Sequence, residues 1–220
     1  MTIIVVALIL ILGFSTLDAK QFLSGFVISF MRVAFSYVIA LFLAVVLTLV
    51  VTSSTLLERI SIPVLDVLQS FPSFALYPLF VIWFGKNSSV TIFILIAEMI
   101  WPILFSLLAA KKQIKQELVE AASSFGATGF KFINHVLFPL LFPAIVTGSI
   151  IAWGEAWEAI IAAEIIVNVP GVGTYLARLG NQGTTSILVV GIFLLLTLLF
   201  VINKFLWLSL LNISTKYQQE

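Results

Sequence analysis

The chain has no cysteine and a single histidine, and only 10% of its 220 residues are charged. The absence of cysteine excludes disulfides and thiolate metal sites, and the lone His135 leaves no metal-binding cluster to consider. A formal net charge of +1 without a basic tract gives no indication of nucleic-acid binding. By contrast, 61% of the residues are hydrophobic and the mean hydropathy is +1.21. A soluble domain cannot hide that much apolar surface, so we expect an all-α integral membrane protein.

Signatures of several enzyme classes are also missing. No G-x-x-x-x-G-K-[ST] sequence occurs, so the chain has no P-loop of its own for ATP. Gly171-Val172-Gly173 is too short for a dinucleotide fingerprint, and no Ser-His-Asp set or carboxylate pair indicates a hydrolase. We therefore expect no catalytic residue, no metal site and no cofactor bound by this chain.

Six apolar runs are predicted to cross the membrane, which places both termini in the cytoplasm. The first run, 1–16, has no basic residue before it and no cleavage site after it, so we interpret it as a retained helix. The others are 26–52, 62–84, 90–110, 140–167 and 186–211. We expect outer connections at 17–25, 85–89 and 168–185, and a cytoplasmic turn at 55–61. The domain division is then 1–25 as first helix and outer loop, 26–211 as core, and 212–220 as cytoplasmic tail.

Three prolines, Pro63, Pro72 and Pro78, interrupt the third predicted span. Proline at membrane depth is tolerated where the backbone lines a cavity or packs on protein, so this span is expected to face the inside of an assembly. A simple kinked helix is the alternative.

The only long polar stretch runs from Lys111 to Pro139. It holds four of the eleven basic residues, namely Lys111, Lys112, Lys115 and Lys131. Since basic residues concentrate in cytoplasmic loops, this stretch is predicted to lie in the cytoplasm. Residues 117–132 are predicted to form one short helix there.

A motif within this stretch resembles that of a known family. Glu120-Ala121-Ala122 is followed by three residues, Gly126, nine residues and then Val136-Leu137-Phe138-Pro139. This pattern is similar to the EAA loop of ABC-importer permeases, with Val136 and Phe138 in place of the usual isoleucine and leucine. The resemblance implies a type I importer permease fold with about six transmembrane helices. The loop would form a coupling helix that docks on an ATPase subunit through Glu120, Ala121, Ala122, Gly126 and Pro139.

The resemblance extends to a subfamily that moves nitrate, sulfonates, taurine, bicarbonate and thiamine-pyrimidine precursors. It is carried by 71–85, 157–164 and 171–173, and the overall likeness covers about 26–211. It implies separate ATPase subunits that bind ATP and Mg, a second permease chain, an extracytoplasmic binding protein, and a location in the plasma (inner) membrane of a prokaryote. Transport would follow alternating access, in which closure of the ATPase dimer opens the pathway outward.

Acidic residues inside the predicted spans are candidates for the substrate pathway. A carboxylate at membrane depth costs about 2.5 to 3.5 kcal/mol on insertion scales, so it is a functional candidate by default. Arg32, near the start of the second span, is a candidate basic partner. Glu164 matches the subfamily pattern, which implies a shared structural role. The pathway candidates are Glu98, Trp153, Glu155, Trp157, Glu158 and Glu164.

Glu155 and Glu158 lie three residues apart, so they are neighbours on one helix. They stand where the subfamily leads us to expect apolar residues. One interpretation is that they line the pathway and favour a cationic or amine-bearing solute, such as a thiamine precursor. The alternative is that they are protonated or hydrogen-bonded to neighbouring helices, which leaves a small anion as substrate.

Small residues recur every three or four positions in the fifth predicted span, at Gly148, Ala152, Ala156, Ala159 and Ala163. Such a stripe allows close helix packing, either against a second permease chain or within one chain.

Two other function classes remain open beside the importer permease. A proton-driven secondary transporter would use Glu98, Glu155 and Glu158 as a relay, and a membrane scaffold would transport nothing. The EAA-like loop favours the importer because neither alternative needs a docking helix.

Overall fold

The computed structural model of this protein describes residues 17–216. In that range the chain is mainly helical and forms no strand, which confirms the all-α prediction. The helices are α1 (Ala19–Val51), α2 (Thr55–Gln69), α3 (Tyr77–Phe84), α4 (Ser88–Lys112), α5 (Gln116–Ser124), α6 (Gly129–Phe132), α7 (Phe138–Val167), α8 (Val172–Asn181), α9 (Thr185–Ile202) and α10 (Leu208–Lys216). A 3-10 turn, Ser73–Leu76, precedes α3, and π-helical turns Ile133–Leu137 and Asn203–Trp207 join α6 to α7 and α9 to α10.

Four helical stretches within 17–216 are long and apolar enough to cross a membrane, and the bent pair α2–α3 adds a fifth if it counts as one span. The four are Ala19–Val51, Ser88–Lys112, Gly129–Val167 and Thr185–Ser214. They coincide with four of the predicted spans. The predicted first span, 1–16, and the last residues of the tail lie outside the described residues.

The predicted outer loop at 17–25 is wrong, because α1 already begins at Ala19. Asp18 accepts a hydrogen bond from the backbone N–H of Gln21 at 3.0 Å. This is the contact of an N-cap residue, which satisfies a donor that the first helical turn leaves free. The polar residues here begin a helix rather than form a loop.

The third predicted span is two helices instead of one. The α2 helix begins at Thr55, in the predicted cytoplasmic turn, because the Ser54 hydroxyl caps it by accepting from the N–H of Leu57 at 3.2 Å. Pro63 lies inside α2 without ending it. The helix ends at Gln69, and the break extends through Pro72. The stretches Thr55–Gln69 and Ser73–Phe84 are bent by 82° relative to each other. A residue before proline is disfavoured in the helical conformation, which accounts for the position of the bend.

The Gly-rich outer segment at 168–185, predicted as a connection, also contains a helix. This helix, α8, has one buried face made of Val172, Gly173, Tyr175, Leu176 and Leu179. Glycine content concealed an amphipathic helix of ten residues.

The described residues divide into two compact units, each assembled from several separate segments. The first takes in 17–36, 73–95 and 156–203. Its core cluster brings together α4, α7 and the residues that follow α7, through Val90, Ile94, Ala163, Val167 and Val169. Phe74, Tyr77, Phe80 and Val81 of the α3 region pack against that cluster.

The second unit comprises 37–72, 96–155 and 204–216. Here α7 closely approaches α4 at Gly148, where an added Cβ would lie 2.9 Å from the Ile103 Cα and the Pro102 carbonyl oxygen. One turn away, the Ser106 hydroxyl donates to the Ala144 carbonyl oxygen at 2.8 Å. A glycine is required at 148 because the neighbours it would meet are backbone atoms.

The small-residue stripe of α7 is buried within this one chain. All five members, Gly148, Ala152, Ala156, Ala159 and Ala163, have buried side-chain positions. The packing favours the within-chain alternative for the stripe.

Gly148→Ala tests this close approach. We expect it to lower stability by about 1 to 3 kcal/mol, the usual cost of overpacking a core. The check is the thermal unfolding midpoint of the purified protein in detergent, followed by tryptophan fluorescence. Gly154→Ala is the matched control, because a Cβ there meets nothing within 4 Å. Equal midpoints for the two variants would contradict the proposed packing.

Candidate functional site

The EAA-like segment forms a short helix with a sharply defined end. The predicted helix at 117–132 is in fact two, α5 and α6, because Gly126 adopts a left-handed backbone with φ +78°. The N–H of Gly126 donates to the Ser123 carbonyl at 2.9 Å, and the N–H of Ala127 donates to the Ala122 carbonyl at 3.0 Å. These two bonds are the Schellman pattern, which strongly prefers glycine at the left-handed position. Gly126 therefore ends α5 and redirects the chain.

The residues of the motif stand mostly in solvent. Glu120 and Ala121 are exposed, while Ala122 and Pro139 are half-buried, Pro139 in the first turn of α7. The Glu120 carbonyl accepts hydrogen bonds from the hydroxyls of the two following serines, at 2.7 and 2.9 Å. These hydrogen bonds, like the one from Gln116 Nε2 to the Glu120 carboxylate at 3.3 Å, lie within α5.

Two large aromatic side chains project from the same segment. Phe125, next to Gly126, is 92% exposed, and Phe130 is 79% exposed. Phe125 lies in a polar part of the chain, outside the candidate membrane spans. Phe130 lies at the start of one of these spans. Both rings are therefore accessible for contact with another molecule.

The two neighbouring acids of α7 lie on its uncovered side. Glu155 and Glu158 are exposed, and Thr147 and Ile151 continue the same exposed line toward the start of the helix. Gly154 lies in this line as well, with open space beside its Cα. The structure therefore brings Glu155 and Glu158 onto one accessible helical face, as the three-residue spacing predicted.

A groove of about 820 Å³ lies between the ends of α4, α5 and α7. Its polar lining comprises Ser106, Gln113, Lys115, Glu117 and Thr147. Thr147 also belongs to the exposed line of α7. The groove thus runs beside the start of α5 and reaches the exposed line of α7 at Thr147.

The other pathway candidates have different surroundings. Glu98 is half-buried on α4. Trp153 and Trp157 are 7% and 4% exposed; Trp153 packs edge-on against Tyr37, and Trp157 stacks on Phe26 with ring centroids 5.4 Å apart. Their own chain encloses both indoles, so the structure does not bring them to the face of Glu155. A pathway role for these two tryptophans stays a prediction that their burial does not favour.

Glu164 is fully buried and lies in an ion pair. Its Oε1 accepts from Arg32 Nη1 at 2.8 Å and from the Ser29 hydroxyl at 2.7 Å, and its Oε2 accepts from the Gly173 N–H at 2.9 Å. Arg32 also donates to the Pro170 carbonyl at 2.6 Å and to the Ser88 hydroxyl at 3.0 Å. Every charge in the cluster is compensated, which a buried ion pair requires. This geometry fits the structural role that the sequence pattern implied for Glu164.

Glycine makes room for this carboxylate. A Cβ at Gly171 would lie 2.0 Å from the Glu164 Cδ, and one at Gly173 would lie 2.6 Å from the Ile161 carbonyl oxygen. In the sequence, Gly171-Val172-Gly173 only contributed to the subfamily resemblance, and its structural role was not predicted. The sequence did contain a signal for this role: Glu164 lies at the end of an apolar run, seven residues before Gly171.

Comparison with known proteins finds a family whose sequence pattern matches most of this chain. The family described as binding-protein-dependent transport system inner membrane component matches residues 36–209. That range includes the EAA-like segment and the acids of α7.

Several curated relatives align with the same region. The taurine transport system permease protein TauC of Escherichia coli (strain K12) is 30% identical over 141 residues, 64% of this chain and 51% of TauC. The nitrate import permease protein NrtB of Leptolyngbya laminosa is 29% identical over 164 residues, 74% of this chain and 59% of NrtB. The bicarbonate transport system permease protein CmpB of a Synechocystis species is 29% identical over 163 residues, 74% of this chain and 58% of CmpB. The chain thus spans between half and three fifths of the length of these relatives.

Arg32→Met tests the buried ion pair. Removing one partner leaves the Glu164 carboxylate uncompensated, so we expect a loss of about 3 to 5 kcal/mol in unfolding free energy. Arg178→Met is the matched control: it removes the same charge from an exposed position on α8, where we expect a change within about 0.5 kcal/mol. Thermal unfolding in detergent measures both. Equal stability of the two variants would show that the pair is not structural.

Proposed function

The chain belongs to the family of binding-protein-dependent transport system inner membrane components, and from this membership we propose that it is the membrane-spanning subunit of an ATP-driven importer. Separate ATPase subunits supply the ATP and Mg chemistry. An extracytoplasmic binding protein delivers the solute, and a second permease chain completes the pathway. The observation that carries this proposal is the α5 helix with its glycine-ended tip.

The tip of α5 suits docking on a soluble subunit. Phe125 precedes the left-handed Gly126, so its ring stands clear of the chain where a socket on a partner can enclose it. Aromatic side chains enclosed in this way dominate the affinity of many interfaces. In this proposal Glu120 and Ala121 form the exposed helical face beside that anchor, and Ala122 and Pro139 hold the segment on the membrane helices.

The exposed face of α7 is the proposed lining of the pathway. Carboxylates at membrane depth are costly against lipid, and both Glu155 and Glu158 lie on the side that this chain leaves uncovered. A water-filled pathway between two permease chains would solvate them. The groove near Thr147 is then its cytoplasmic mouth.

We propose a small anion as the solute. The relatives named for nitrate and bicarbonate, together with the sulfonate of taurine in a third, support this alternative better than a cationic compound such as a thiamine precursor. The acids then act without a direct ion pair to the solute. Water in the pathway solvates them, and they accept hydrogen bonds from it.

The transport cycle follows from these parts. ATP-driven closure of the ATPase dimer pushes on α5, opens the pathway outward to the loaded binding protein, and hydrolysis returns it to the inward-facing state. The cycle thus exposes the solute site alternately on the two sides of the membrane.

Gly126→Leu is the sharpest variant of the docking surface. A side chain at φ +78° costs about 1 to 2 kcal/mol in a left-handed residue, so the Schellman end of α5 should be lost and Phe125 displaced. We expect the ATPase to be lost from the complex purified through a tag on this chain, or ATP hydrolysis to be uncoupled from uptake, while the protein stays in the membrane.

Gly183→Leu is the matched control. Gly183 has φ +70° and nothing within 4 Å of an added Cβ, so it imposes the same backbone strain far along the chain from α5. We expect its complex and its uptake to match those of the unaltered protein. Normal uptake by Gly126→Leu would contradict the docking role of α5.

The double variant Glu155→Gln/Glu158→Gln tests the pathway and the solute class together. Uptake of nitrate, bicarbonate, taurine and thiamine is measured in proteoliposomes that contain the complete complex. We expect ATP-dependent uptake of at least one of the three anionic or sulfonated compounds, and a higher rate in the double variant because two repelling charges are gone. Asp18→Asn, an acid-to-amide change that keeps an N-cap, is the control. Uptake of thiamine alone, or loss of anion uptake in the double variant, would reverse the assignment.

A further inference from the structure

The connection between α4 and α5 is short and internally bonded. Only Gln113, Ile114 and Lys115 separate the two helices. The N–H of Gln113 donates to the Ala110 carbonyl at 3.0 Å, and the N–H of Ile114 donates to the Lys111 carbonyl at 3.2 Å. A three-residue link closed by turn hydrogen bonds has little slack. A displacement of α5 therefore reaches the last turn of α4.

Lys111 lies in that last turn and reaches across to another helix. Its Nζ donates to the Thr52 hydroxyl oxygen at 2.7 Å and to the Thr52 carbonyl oxygen at 3.3 Å. The same hydroxyl donates to the Thr48 carbonyl at 2.6 Å, which orients its lone pairs toward the amine. Thr52 begins the turn between α1 and α2. From the sequence alone, Lys111 was expected only to help set the membrane orientation.

Within residues 17–216, α2 has few other attachments. None of its fifteen residues is buried. A groove of about 420 Å³ lies beside it, lined by Thr55, Glu58, Arg59, Ile62, Pro63 and Lys112. The nearby ion pair between Lys112 and Glu58 spans 3.6 Å with a lysine side chain that is 55% exposed. Solvent-exposed pairs of this kind contribute little, so they hold α2 weakly.

We propose that Lys111 is a positioning residue that carries movement of α5 to the α1–α2 turn and so reorients α2. The part-buried, charge-assisted bond to Thr52 is the stiff contact along this route, in contrast to the exposed pair made by its neighbour Lys112. This inference rests on the proposed function, because it takes the force on α5 to come from a docked ATPase.

The absence of cysteine from the chain makes α2 easy to follow. Ile62→Cys places one thiol in the groove beside α2. The complex is purified through a tag on this chain, and the rate of N-ethylmaleimide labelling of that thiol is measured by mass spectrometry, without nucleotide and with ATP plus vanadate. We expect the two rates to differ in the Ile62→Cys parent, and the difference to be lost when Lys111→Met is added. Lys111→Arg should restore it.

Lys112→Met is the matched control, since it removes the same charge one residue later and should keep the parental difference. Thr52→Val removes the nearer acceptor without touching the lysine and should weaken the difference, whereas Thr52→Ser should preserve it. If Lys111→Met fails to fold, Thr52→Val and Thr52→Ser test the same contact from the acceptor side.

Three results would overturn the proposal. One is a parental nucleotide response in Lys111→Met, and another is a parent whose labelling never depends on nucleotide. The third is loss of the ATPase from the Lys111→Met complex alone, which would make Lys111 a docking residue. Absence of the ATPase from the parent complex is a different failure, because it removes the proposed function itself and this inference with it.

Discussion

Every charged group inside an apolar span has to be paired, solvated or neutralised, and this constraint organises the acids of the chain. Glu164 is paired: Arg32, Ser29 and the N–H of Gly173 surround its carboxylate, although Arg32 lies 132 positions away in the sequence. The cluster joins the first half of α1 to the end of α7 and to the segment that follows. Glu155 and Glu158 instead have exposed side chains on one face of α7. The same residue type is structural in one place and a candidate for the pathway in the other.

Small residues provide the second condition for this fold. Gly148 lets α7 approach the backbone of α4, and Gly171 leaves room for the Glu164 carboxylate. Gly126 serves a different purpose, since nothing lies near it and its left-handed backbone is what the end of α5 requires. In the apolar part of the protein, glycine allows close contacts because it has no side chain. In the polar segment, glycine ends a helix because it tolerates a left-handed backbone.

The sequence predicted the helical membrane class, four of the long helices and the EAA-like segment, because apolar runs and a spaced motif are local signals. It predicted the boundaries poorly where capping outweighed polarity, as at Asp18 and Ser54, and it missed α8 because glycine obscured the apolar face. A pathway role for Trp153 and Trp157 stays a prediction, but their aromatic partners were not foreseen: Tyr37 and Trp207 pack against Trp153, and Phe26 stacks on Trp157. Partners of that kind are set by tertiary packing, so no local pattern reveals them. The left-handed end of α5 at Gly126 was not predicted, because 117–132 was expected to form one helix, and the contact between Lys111 and Thr52 was not predicted either.

The central claim is that the tip of α5 docks on an ATPase, and a photo-crosslinking amino acid at position 125 tests it most directly. The position is chosen because Phe125 is 92% exposed beside Gly126. The crosslinker is activated in native membranes, and the attached protein is identified by mass spectrometry. Our account predicts a crosslink to an ABC ATPase subunit. Attachment only to lipid, or to membrane proteins without an ATPase domain, would contradict it.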